Sequence, residues 1–263
     1  MFHRCIIVAI ILRIDVDTLY PAPEDMSSLS NLLLKLRGAV PESMLKFFRK
    51  RRKMYEFVQE NMGFASNLIE LAAIIHNYDC SATIFFPDSQ ASKCADIAKE
   101  FIRNGFDIGL HLTAWDRNKV LEYKRGFESL IGHSIDTFSV HSYEPYYAHL
   151  LDYLGLLKEF KIFSGNSSPD TMQGGCLKIF DGFFFPSAFF TRETATIELQ
   201  NDEKYTVDWL LEWQKERDAV VCVHPEELSK SIPDLRSKTL SKLHNLLTNC
   251  KVLNFTDWLR VKA

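Results

Sequence analysis

The chain has 263 residues, 46% of them hydrophobic and 25% charged, with a net charge of −3 at neutral pH. These values are ordinary for a globular protein with a substantial core. They argue against nucleic acid as a partner, since no general excess of positive charge is present.

The stretch L-R-I-D-V-D-T ends an apolar run that starts at Cys5. Read as a strand, it places Arg13, Asp15 and Asp17 on one face and Leu12, Ile14 and Val16 on the other. Two carboxylates and a guanidinium aimed in one direction are costly to bury unless something cationic is held there. The apolar run is too short to span a bilayer and no cleavage site follows it, so it reads as a buried first strand. The six cysteines form no C-x-x-C pair and sit mostly in apolar runs. That usage fits a reducing, cytoplasmic setting.

Helical spacing follows over residues 28–37, from about residue 41, and over residues 65–77. One strand-to-strand connection needs one helix, so residues 25–62 read as a helical insertion. Within it, K-F-F-R-K-R-R-K begins at Lys46 and ends at Lys53. This basic face is either solvated or makes peripheral contact with a membrane surface.

From residue 81 strands and helices alternate. Strands are expected at 81–87, 106–112, 135–141, 160–164, 219–225 and 251–255. Helices are expected at 91–102, 116–131, 146–154, 207–217 and 234–248. Residues 166–200 read as irregular, with a strand or hairpin over 178–186. Strands that are apolar throughout and alternate with helices imply a parallel sheet covered by helices. No glycine-rich phosphate loop follows any strand. The expected fold is therefore an α/β single domain over residues 1–263. It would be a distorted (β/α) barrel of about seven parallel strands, with a doubly wound sheet as the alternative.

In such a barrel the working residues stand at the C-terminal ends of strands. Those ends carry Asp15 and Asp17, His111, His141 and His224. Two histidines and a carboxylate with open positions suit Zn²⁺ or a similar divalent metal. The remaining histidines read as surface or packing residues.

D-V-D at strand one, S-A-T-I-F-F at strand two, G-F-D-I-G-L-H at strand three and V-C-V-H-P near the C-terminus resemble, in this order, the polysaccharide deacetylase (NodB-like) superfamily. L-R-I-D-V-D-T is most similar to its branch of lipid-linked aminoarabinose deformylases and polysaccharide-biosynthesis proteins. The resemblance implies a metal-dependent hydrolase of C–N bonds other than peptide bonds, taking an acetyl or formyl group from a carbohydrate or lipid-linked sugar. It implies Asp15 as general base, Asp17 and His111 as metal ligands and His224 as general acid. The superfamily's second histidine, four residues after the first, is Trp115 here. The third ligand is then His141 or Asp116. Arg13 is the candidate to orient the base, with Arg192 second, and a backbone N–H near Pro87 and Asp88 would face the oxyanion. Aromatics between Phe180 and Phe190 would wall a sugar groove or cap the barrel. The alternative function is a catalytically inactive barrel that binds glycans or a protein partner.

Overall fold

The computed structural model describes residues 9–16, 64–113, 115–140, 148–167, 175–190, 207–213, 217–228 and 233–262. The proposed helical insertion, the Lys46 to Lys53 run, Asp17, His141 and Arg192 lie outside the described residues.

The strands are β1 (Ile10–Asp15), β2 (Thr83–Pro87), β3 (Asp107–Leu112), β4 (Thr137–Val140), β5 (Ile162–Ser167), β6 (Leu177–Ile179), β7 (Gly182–Ser187), β8 (Phe189–Phe190), β9 (Ala219–Val223) and β10 (Val252–Leu253). The helices are α1 (Phe64–His76), α2 (Ala95–Arg103), α3 (Arg117–Ile131), α4 (Leu150–Gly155), α5 (Val207–Trp213), α6 (Pro233–Asn249) and α7 (Phe255–Lys262). Among the described residues all pairings are parallel except the β6–β7 hairpin. The sheet order is β6-β7-β5-β4-β3-β2-β1-β9-β8, with β10 on β1. Residues 182–190 pair with β5 through β7 and with β9 through β8, so one nearly continuous segment reaches both margins of the curled sheet. This is the distorted barrel expected from the alternation. The hairpin expected over 178–186 is present as β6 and β7, and the irregular reading is corrected only at Phe189–Phe190, which form the closing strand β8.

Period-two alternation sorts the side chains. Ile10, Leu12, Ile14 and Val16 join the core between sheet and helices. Ala9 and Ile11 join Phe85, Ile162, Phe185, Val220 and Cys222 in a second cluster inside the curl. Arg13 and Asp15 stand on that same inner face.

The expected strand over 251–255 is reduced to Val252–Leu253, and Phe255 opens α7 instead. The cause is Asn254. Its Oδ1 accepts from the Asp257 amide at 2.7 Å, while its Nδ2 donates to Asp257 Oδ2 at 2.9 Å, a reciprocal helix cap. The helix drives Phe255 and Trp258 into the inner cluster, where both rings meet Phe185 edge-on.

Gly109 lies beside Phe85 in the β2–β3 register. A Cβ there would stand 2.5 Å from Phe85 Cδ1 and 2.6 Å from Thr137 Oγ1. Gly109→Ala is therefore expected to cost about 1–3 kcal/mol by overpacking. The check is a thermal midpoint lowered by several degrees; an unchanged midpoint would mean that the inner cluster yields freely.

Candidate functional site

The inner face becomes polar toward the C-terminal ends of the strands. Arg13 is fully buried there. Its Nε donates to Asp15 Oδ1 at 2.6 Å, and its Nη2 donates to Asp15 Oδ2. The same guanidinium donates from Nη1 to Ser164 Oγ and to the Gly165 carbonyl, each at 3.0 Å, and from Nη2 to Asn166 Oδ1 at 2.6 Å. A planar fork with several donors suits this double duty, which an ammonium could not perform. Burial pushes the Asp15 carboxyl up, but Arg13, His111 and His224 outweigh it and hold Asp15 at about 2. Asp15 is thus an ionised carboxylate at neutral pH.

His111 stands on β3 with Nδ1 3.8 Å from Asp15 Oδ2. The same Nδ1 is 2.7 Å from Ser139 Oγ, its register partner on β4. With the proton on Nδ1 donated to Ser139, Nε2 carries the lone pair.

His224 follows β9, where Pro225 turns the chain into a short 3-10 helix ending at Leu228. Glu227, fully buried on that turn, accepts from the His224 amide at 2.9 Å and lies 3.2 Å from His224 Nδ1 through the same Oε1. Thr239 Oγ1 on α6 donates to the other carboxylate oxygen at 2.9 Å. Glu227 therefore fixes the imidazole from behind, as an orienting carboxylate does. Sequence reasoning missed it; the signal was H-P-E-E, a carboxylate one turn after a strand-end histidine.

The ligand atoms of Asp15, Cys222 and His224 lie within 4.8 Å of one another. Oxygen, sulfur and nitrogen donors of these types are those zinc accepts. The Ser139 contact to His111 is the kind of outer hydrogen bond that orients a ligating imidazole. His111 and the Asp15–Cys222–His224 group beside it thus present donors of the types a divalent metal accepts, while Asp17 and His141 lie outside the described residues. Cys222 was not singled out from sequence, although it sits two residues before His224 on the same strand face.

The other candidates are placed as follows. Asp116 is exposed and caps α3, its Oδ1 accepting from the Lys119 amide at 2.9 Å. The structure does not bring it into the Asp15–Cys222–His224 group. Asp88 is buried after β2 and accepts from Thr113, through Oδ2 from the amide at 2.9 Å and through Oδ1 from the hydroxyl at 2.7 Å. This ties the exits of β2 and β3 together. Phe184, Phe185 and Phe189 are buried, so they build the barrel wall rather than a sugar groove. Phe180 is exposed, but on the hairpin turn that precedes β7, at the end of the sheet away from His111.

Fold and inner face together define a (β/α) barrel whose strand ends gather an ionised aspartate, an arginine and two histidines. The same fold is found in solved structures of Puue allantoinase and of a probable polysaccharide deacetylase from Pseudomonas aeruginosa PAO1. The allantoinase is 12% identical with a TM-score of 0.59, covering 96% of this chain and 89% of that chain. The Pseudomonas protein is 13% identical with a TM-score of 0.58, covering 96% and 90%. A CE4 family pseudoenzyme from Bacillus anthracis is 13% identical with a TM-score of 0.42; this chain spans 64% of its length. No family model and no curated protein matches the chain. The chain thus has the fold of the polysaccharide deacetylases. No helix among the described residues is long and apolar enough to cross a membrane.

Proposed function

We propose that the protein is a metal-dependent hydrolase that removes an N- or O-acyl group, acetyl or formyl, from a carbohydrate in polysaccharide or glycolipid biosynthesis. The observation that carries this reading is Asp15, clamped as a carboxylate by Arg13 and faced by His111 at 3.8 Å on the inner surface of the barrel. Polysaccharide deacetylase structures of the same fold support the choice of substrate class.

A divalent metal, Zn²⁺ by its nitrogen and oxygen donors, would be held by Asp17 and His111 with His141 as third ligand, Asp116 being taken up in capping α3. When bound it would polarise the acyl carbonyl and lower the pKa of a water. Asp15 takes the proton of the attacking water, and Arg13 keeps its carboxylate ionised and aimed. Water oxygen bonds to the acyl carbon as the carbonyl π bond opens to an oxyanion, and the carbon–nitrogen or carbon–oxygen bond breaks as that carbonyl re-forms. His224, oriented by Glu227, gives a proton to the departing nitrogen or oxygen. A backbone N–H after β2, near Pro87 and Asp88, would face the developing oxyanion. The Lys46 to Lys53 run would bring the enzyme to an anionic surface if the sugar is lipid-linked.

Metal analysis tests the reading directly. The purified protein is expected to carry about one equivalent of metal, and Asp17→Ala and His111→Ala should each lose metal and activity together. Full occupancy in the His111→Ala protein would remove His111 from the ligand set. A wild-type protein that never retains metal would favour the inactive glycan-binding barrel instead.

A further inference from the structure

Trp115 stands four residues after His111, where the resemblance expects the superfamily's second histidine, and the residue is 50% exposed. Such an exposed ring on the loop that follows β3 leaves a large apolar face in water. Its plane is nevertheless fixed, because the His149 ring stacks on it with centroids 4.3 Å apart and an interplanar angle of 1°. His149 backs the indole and does not itself line the cavity beside it. That cavity, about 370 Å³, is lined by Trp115, Asp116, Arg117, Leu151, Asp152 and Lys158 among others. It lies between the start of α3 and the α4 segment. Its volume falls within the range of small-ligand sites.

We propose that Trp115 and this cavity form a carbohydrate platform holding a neutral pyranose ring of an oligosaccharide outside the hydrolytic centre. The proposal rests on the carbohydrate reading of the substrate given above. Two carboxylates and two cations on the lining cancel in sign, which favours an uncharged ligand over a phosphate or an amine. A pyranose offers an apolar C–H face for the indole and hydroxyls that both accept from Arg117 and Lys158 and donate to Asp116 and Asp152. Leu151, 83% exposed, extends the apolar floor. Trp115 is four residues from His111 along the chain.

The test is calorimetric titration of the metal-loaded protein with the monosaccharides and linear tetrasaccharides of N-acetylglucosamine and of glucose. Trp115→Ala is expected to weaken the tighter tetrasaccharide about tenfold, that is, about 1.4 kcal/mol. Trp115→Phe should recover part of the loss. Asp15→Asn should bind the tetrasaccharide as the wild type does. Acyl release can then fail while the platform still binds, which separates the two readings. Equal tetrasaccharide affinity in wild type and Trp115→Ala would overturn the proposal. So would the absence of tetrasaccharide binding by the wild type.

Discussion

Arg13→Ala is expected to destabilise the protein by about 3–5 kcal/mol, a large share of a typical folding free energy. Arg13 is buried and its guanidinium serves two structures at once, gripping Asp15 on β1 and the Ser164–Gly165–Asn166 segment of β5. These strands are separated by β2, β3 and β4 in the sheet order, so the side chain braces the inside of the curl. Alanine removes the brace and leaves the Asp15 charge buried without its principal counter-ion. Arg13→Lys should recover only part of the loss, because one ammonium cannot make both contacts. Denaturant unfolding measures this, and an Arg13→Ala protein within about 1 kcal/mol of the wild type would disprove the bracing role.

Asp15→Asn is expected to lower turnover by about 10²- to 10⁴-fold while substrate still binds, as loss of a general base does. The amide keeps the shape of the carboxylate but takes no proton from water. The substitution also tests a linkage. Asp15 is held at about 2 in the folded protein, below its ordinary value of 3.8. A carboxylate depressed on folding contributes stability that is fully present above the ordinary value and is lost as pH falls through the folded value. The window therefore lies between about pH 4 and pH 2, and the contribution is on the order of 2 kcal/mol. Acid titration of stability in metal-free wild type should show this step, and Asp15→Asn should lack it. An identical acid profile in both proteins would mean that Asp15 titrates alike folded and unfolded.

The strand–helix alternation was legible because each parallel strand is buried on both faces and reads as an apolar run. Arg13 and Asp15 were legible as partners because period two places them on one face before any contact is known. Glu227 was not, since its role depends on Pro225 turning the chain back so that the carboxylate meets the His224 ring. The helix beginning at Phe255 was hidden behind a β-branched and aromatic run, and the Asn254–Asp257 cap that starts it is a short signal. The phenylalanines between Phe180 and Phe190 carry no mark of which ring faces water. Only the pairing of residues 182–190 with both β5 and β9 sends most of them inward.

The sequence by itself determined the barrel's periodicity and the placing of aspartate, arginine and histidine at strand ends, because both follow from local alternation. The tertiary structure decided which groups meet. It put His111 against Asp15 and Ser139, backed His224 with Glu227, and set Cys222 within reach of both Asp15 and His224. It also used Asp116 as a helix cap and laid Trp115 flat on His149. Each of these contacts joins residues whose meeting depends on how the sheet curls or how a loop turns, and such meetings leave no period in the chain.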